Sequence, residues 1–146
     1  MSCDFYTRLV YARRNKLFGR IAYYTLKLLG VEIPLAVQIG DDIELAHGGF
    51  GVVIHSKTAI GNRVKIYPGV GIGRADIYRP IDESSFTGIV IEDDVILSTG
   101  AKIICKGGML SVRRGTVVGA NAVLLQSTSE NEIWAGIPAR LIGKRE

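Results

Sequence analysis

Residues 91–108, Ile-Glu-Asp-Asp-Val-Ile-Leu-Ser-Thr-Gly-Ala-Lys-Ile-Ile-Cys-Lys-Gly-Gly, decide the fold. Ile91, Leu97 and Ile103 stand six apart, and Val95, Ala101 and Gly107 follow them by four. A period of six is neither the 3.6 of a helix nor the alternation of a lone strand. A short-period repeat makes stacked coils of parallel strand, each of which buries its inner face on its neighbours.

Working outward, the same six recurs upstream. Ile33, Ile39 and Leu45 lead three sixes, with Val37 and Ile43 in the fifth place. Ile54, Ile60, Ile66 and Ile72 lead the next set, with Thr58, Val64 and Val70 in the fifth place. Downstream, Met109 continues the series, and Val112 and Val118 follow after a slip of three, with Thr116 and Ala122 in fifth place. Each six predicts one short strand and one turn, and three sixes close one triangular coil. Gly40, Gly61, Gly73 and Gly119 directly follow a lead, where the turn leaves little room for a side chain.

The register breaks at three places: 46–51, 74–88 and 109–112. The first inserts Ala-His-Gly-Gly-Phe-Gly between Leu45 and Ile54. The second is polar, carries Asp76, Pro80, Asp82 and Glu83, and predicts a loop that projects from the stack and meets a substrate. The third has no evident purpose in the sequence. The expected organisation is an N-terminal helical segment 1–30 and a repeat domain 31–146, with a tail 126–146 in which Pro138 opens a short helix.

Within residues 4–29, Leu9, Leu17, Ile21, Tyr24 and Leu28 form an apolar stripe at helical spacing, with Gly19 dividing the segment and Gly30 ending it. Arg8, Arg14, Lys16, Arg20 and Lys27 lie off that stripe. Two readings stand: a half-buried helix packed on its own domain or a neighbouring subunit, and weak contact with an anionic membrane surface.

Composition narrows the classes. The chain has 146 residues, 47% hydrophobic, with a net charge of +4, which suits one globular domain. No basic stripe with interleaved aromatics points to nucleic acid. No run reaches the length of a membrane span, and no signal peptide opens the chain, so the expected location is cytoplasmic. Cys3 and Cys105 lack metal or redox spacing and read as reduced thiols. A catalytic zinc site needs three protein ligands, and His47 and His55 are the two histidines of the chain. Gly107-Gly108 lacks the Lys-Ser/Thr of a phosphate loop.

The Ile/Leu/Val-Gly-x-x-small-x repeat resembles the hexapeptide-repeat acyltransferases. The resemblance implies an all-β, left-handed parallel β-helix, commonly trimeric, with active sites in grooves between prisms. Residues 31–48, Val-Glu-Ile-Pro-Leu-Ala-Val-Gln-Ile-Gly-Asp-Asp-Ile-Glu-Leu-Ala-His-Gly, and residues 135–144, Ala-Gly-Ile-Pro-Ala-Arg-Leu-Ile-Gly-Lys, are similar to the serine acetyltransferase-like branch. From it follow acetyl-CoA as co-substrate and direct acyl transfer to a hydroxyl. His47 is the expected base, with Glu32 as its orienting carboxylate. The same resemblance places Thr99, Gly100 and Ala120 along the pantetheine of CoA, and Arg140 and Lys144 near its phosphates.

Two departures weigh on the acceptor. The family's Asp before the base is Ala46 here, and its Arg-His pair after the loop is Thr87-Gly88. A sugar hydroxyl, as in capsule or exopolysaccharide modification, is therefore expected ahead of serine. An N-acyltransferase acting on an amino-sugar nucleotide, and a non-catalytic trimeric scaffold, are the alternatives.

Overall fold

The computed structural model describes residues 4–146. Cys3 lies outside the described residues. The chain winds into a three-sided prism. The first face stacks β1 (Gln38–Ile39), β4 (Thr58–Ile60), β7 (Phe86–Ile91) and β10 (Gly108–Val112). The second stacks β2 (Glu44–Leu45), β5 (Lys65–Ile66), β8 (Ile96–Leu97), β11 (Val117–Val118) and β13 (Glu132–Gly136). The third stacks β3 (Val53–Ile54), β6 (Gly71–Arg74), β9 (Lys102–Cys105) and β12 (Val123–Leu124). These neighbours pair in parallel.

Parallel register turns the sixes into columns. Leu45, Ile66, Leu97, Val118 and Trp134 stack on the second face, and Ile54, Ile72, Ile103 and Leu124 on the third. Ile60, Ile91 and Val112 stack on the first. All of these are buried, and so are the fifth-place residues Val64, Val70, Val95, Ala101, Thr116 and Ala122. Full burial of one such aliphatic side chain is worth about 1.5–3 kcal/mol.

The glycines after the leads have a steric reason. A Cβ on Gly40 would lie 2.6 Å from the Gly61 carbonyl, and one on Gly61 would lie 2.9 Å from the Asp93 nitrogen. The obstacle in each case is the coil above, through its backbone and through the Asn62 or Asp93 side-chain oxygen. Gly61→Ala is expected to destabilise the protein by about 1–3 kcal/mol. Urea unfolding checks this, and an unchanged midpoint would show that the corner can yield.

Two sequence expectations at the edge between the third and first faces need correction. Met109 is not an inward lead, because it is 53% exposed, and Gly107 is exposed too. The projecting loop is also shorter than 74–88: β6 runs to Arg74 and β7 begins at Phe86. The breaks at 74–88 and 109–112 form one feature. Arg74 pairs with Cys105, and Phe86 with Gly108. The Ala75 N–H donates to Cys105 O at 2.8 Å, and the Gly108 N–H donates to Ser85 O at 3.0 Å. Once one coil swings outward into its loop, the coil above must extend to keep the ladder paired. Residues 106–109 supply that extension, and Phe86, Cys105 and Leu110 fill the space beneath it.

The ends are capped differently from expectation. After β13 the chain reverses at Pro138, and β14 (Ala139–Lys144) returns antiparallel to β13, so a hairpin replaces the expected terminal helix. At the other end α1 (Phe5–Ala12) and α2 (Gly19–Leu28) cover the first coil. Asp4 caps α1 by accepting from the Thr7 N–H at 2.7 Å. Gly30, at φ +86°, ends the pair. Arg13 is buried between the helices and the coil, donating to the carbonyls of Val10, Pro34 and Val37. Burial, and then the neighbouring Arg14, push its guanidinium down to about 10. The side facing the core is Thr7, Val10, Arg13, Ala22 and Leu26; of the apolar stripe Leu9 packs half-buried against it, whereas Leu17, Ile21, Tyr24 and Leu28 face solvent.

Candidate functional site

Two edges of the prism turn through a residue in the left-handed region on successive coils. Along the edge between the second and third faces that residue is Gly51, Gly69 and Gly100 on successive coils, at φ +77°, +74° and +73°. Their Cα atoms approach closely: a Cβ on Gly51 would lie 3.5 Å from Gly69 Cα, and one on Gly69 would lie 3.5 Å from Gly100 Cα. Backbone bonds tie the column together. Gly69 N–H donates to Phe50 O at 2.8 Å, Gly100 N–H to Pro68 O at 2.9 Å, and Asn121 N–H to Thr99 O at 2.9 Å. The result is a vertical strip of bare main chain. Asn121, at φ +55°, ends it, and its side-chain oxygen occupies the space a Cβ on Gly100 would need.

The edge between the first and second faces uses the same geometry with other residues. Asp42, Arg63 and Asp94 take the left-handed position there. Arg63 Nε donates to Asp94 at 2.7 Å, and Arg114 Nε lies 3.6 Å from the same carboxylate. Arg63 first, through its hydrogen bond, and then the coulombic pull of Arg63 and Arg114 hold the Asp94 carboxyl below the usual carboxylate range. Charged side chains line that edge and the groove beside it, whereas the glycine edge is open in having no side chain at these three positions.

His47 sits at the foot of the open edge. The nine residues from Leu45 to Ile54 do one six's work, so three must leave the ladder. They form a single left-handed bulge: His47 at φ +53°, Gly48 at +80° and Gly49 at +66°. A non-glycine residue in this conformation costs about 1–2 kcal/mol and is commonest at functional positions. The imidazole is exposed, with the Tyr67 ring of the coil above 6.2 Å away. It also lines a groove of about 850 Å³ between α1 and the second face, whose wall runs through Tyr11, Glu44 and Lys65 to Asp42, Arg63 and Asp94 of the charged edge. Tyr11 fixes α1 in place, donating its hydroxyl to Gly40 O at 2.9 Å and accepting from the Ile43 N–H at 3.1 Å.

The structure brings together His47, Thr99, Gly100 and Ala120 on this edge. Arg140 joins them near its top, because it pairs with Ala135 one step from the hairpin turn. Lys144 does not. It pairs with Glu132 at the far end of β14, four residues or roughly 13 Å from Arg140. The Glu32 carboxylate is engaged elsewhere. The residue bridges Val53, and its carboxylate accepts from the Tyr23 hydroxyl at 2.6 Å and lies 3.2 Å from Lys27. Its side chain makes no hydrogen bond to His47.

Lys102 is a site cation that the repeat pattern hid. It falls at an ordinary outward position of β9, yet its ammonium donates to Gly69 O and, at 3.1 Å, to Gly100 O, on the glycine strip. His55 is structural. It lies edge-on to Phe86 with centroids 4.9 Å apart, and its Nδ1 accepts from the Lys57 N–H at 3.0 Å. Burial first, then Arg74 and Lys57, push its pKa down. Among the described residues no group of three or more His, Cys, Asp or Glu is placed to hold a metal.

No family model matches the chain. It is 34% identical over 134 residues to the serine acetyltransferase of Bacillus licheniformis, covering 91% of this chain and 58% of that protein. The serine acetyltransferase of Bacillus pumilus is 31% identical over 138 residues, at 94% and 58% coverage. The chain thus spans rather more than half the length of the curated relatives it matches. Among solved structures, a truncated serine acetyltransferase apoenzyme superposes with a TM-score of 0.74 at 26% identity, covering 93% of this chain and 57% of that one. A serine acetyltransferase complex with CoA gives 0.71 at 25% identity, covering 93% and 56%. The prism therefore has the left-handed parallel β-helix of these neighbours. By sequence and by fold, the chain is similar to the hexapeptide-repeat acyltransferases of the serine acetyltransferase-like branch.

Proposed function

We propose that the protein is an acetyl-CoA-dependent O-acetyltransferase acting on a small hydroxyl-bearing acceptor. The observation that carries the reading is the open edge itself. It sets an exposed histidine at the foot of a strip of main chain that passes Gly69, Thr99 and Gly100, with the Lys102 ammonium on two of its carbonyls. A long, flexible donor such as acetyl-CoA can lie along such a strip. Lys102 and Arg140 are the cations at the strip, placed for the donor's polar and anionic groups.

His47 takes the proton from the acceptor hydroxyl as its oxygen attacks the thioester carbonyl, and the imidazolium then gives that proton to the departing sulfur, so that CoA leaves as the thiol. The imidazole is not held by Glu32, whose carboxylate accepts from Tyr23 and pairs with Lys27. The relatives bear the name serine acetyltransferase, which makes serine the second reading of the acceptor. Against it stand Ala46, buried where a carboxylate would lack solvent, and Thr87-Gly88, which lie on β7 at the other edge from His47. We place a sugar or saccharide precursor first. We also infer a homotrimer in which His47 of one prism faces the side of the next, and a cytoplasmic location for a CoA-using enzyme.

The test has two arms. Saturating CoA is expected to raise the melting temperature, since a ligand at a hundred times its Kd adds about 2.7 kcal/mol to the native state. No shift would favour a scaffold. Thiol release from acetyl-CoA is then followed with a panel of sugars, nucleotide sugars, amino sugars and serine. Release with serine alone would return the acceptor to that of the named relatives.

A further inference from the structure

The positive charge of this protein is concentrated on its two helices. Residues 4–29 carry six basic residues and one acid, Asp4, while the whole chain has 18 basic and 14 acidic residues. What remains has twelve basic and thirteen acidic residues, so the prism by itself is nearly neutral. Asp4 is spent on the α1 cap.

The same helices expose an apolar face. Ile21, Tyr24 and Leu28 of α2 are 62%, 64% and 88% exposed, and Leu17 and Phe18, just before it, are 76% and 54% exposed. At 3.6 residues per turn, Ile21, Tyr24 and Leu28 fall within an arc of about 60°. Lys16, Arg20 and Lys27 are exposed around that arc. Lys27 is partly neutralised by Glu32, but Lys16 and Arg20 have no acidic partner among the described residues. Nothing among the described residues covers the stripe, and the side that α2 turns to the prism is Ala22 and Leu26.

The occupant must accept both features at once. A second copy seated symmetrically on this face would set Arg20 and Lys16 against the same charges, which costs energy. An anionic bilayer surface offers acyl chains to the stripe and headgroup phosphates or carboxylates to its basic border. At ten residues, α2 is about 15 Å long and lies in the interface without spanning it. No helix among the described residues is long and apolar enough to cross a membrane.

We propose that α2 and the preceding turn, through Leu17, Phe18, Ile21, Tyr24 and Leu28 bordered by Lys16 and Arg20, dock the protein on an anionic lipid surface. The full chain is incubated with phosphatidylcholine vesicles, with and without phosphatidylserine, and bound protein is separated by flotation. It is expected to float with the anionic vesicles only, and raising salt to about 0.5 M is expected to weaken the binding. The triple variant Leu17→Gln, Ile21→Gln, Leu28→Gln should lose on the order of tenfold or more in partitioning. Its melting temperature should stay put, because all three side chains are exposed. Lys16→Gln with Arg20→Gln should remove most of the salt-sensitive part. Equal binding to both vesicle types, or an unaffected triple variant, would overturn the proposal. So would sedimentation velocity showing that the triple variant breaks an oligomer, since the stripe would then be a subunit contact.

Discussion

Leu97→Asp is expected to yield no soluble, folded protein. Leu97 is fully buried on the second face, with Ile66 beneath it and Val118 above. Removing the leucine forfeits about 1.5–3 kcal/mol of burial. An unpaired carboxylate in its place has no donor within the prism, and burying such a group costs several kcal/mol more. A domain of this kind has about 5–15 kcal/mol in total. Because each coil buries its face on its neighbours, a lost middle coil also exposes those above and below. Circular dichroism and gel filtration give the readout, with Leu97→Met as the volume-conserving control that should fold. A monodisperse, β-rich Leu97→Asp protein would show that the inward register is wrong.

His47→Ala is expected to lower thiol release by at least roughly a hundredfold at saturating acetyl-CoA, the lower end of what a general base contributes. His47 is exposed, so its removal should leave the melting temperature and the CoA-induced shift nearly unchanged. His47→Asn is the companion variant. Asparagine tolerates the left-handed backbone at φ +53° but cannot take the proton, so it separates lost chemistry from a disturbed bulge. Near-normal turnover in both variants would remove His47 from the mechanism. A parallel loss of the CoA shift would instead make it a binding residue.

The interior was legible because an inward position admits few alternatives. Ile66, Leu97 and Ile103 had to be aliphatic, and a period of six does not arise from helices. His47 was legible for the complementary reason: it stands where the six cannot continue. Met109 was misread because one apolar residue continued the count by chance in a segment that follows the loop outward. The packing side of the helices was not legible. It is built partly from Thr7, Arg13 and Ala22, so Leu17, Ile21, Tyr24 and Leu28 of the apolar stripe point away from the prism and Leu9 packs against it.

Surface side chains were the least legible. Periodicity set the level of Glu32 in the stack but not the direction of its carboxylate, which α2 captured through Tyr23. Lys144 was displaced by the reversal at Pro138, and a period read along one strand direction carries no sign of a turn back. Lys102 went unnoticed because its reach to two glycine carbonyls depends on what lies below it and not on its neighbours in sequence.

The glycine column has a consequence for how this chain can vary. At Gly51, Gly69 and Gly100 the backbone is left-handed, so any replacement other than glycine is strained by about 1–2 kcal/mol before it touches a ligand. Most substitutions that would block the strip therefore weaken the fold as well. Drift cannot silence the strip quietly while leaving a sturdy prism behind. Asparagine, which already holds the fourth coil at Asn121, is the mildest exception. A descendant that lost the activity but kept the scaffold would be expected to carry asparagine or aspartate there, a signature readable from its sequence alone.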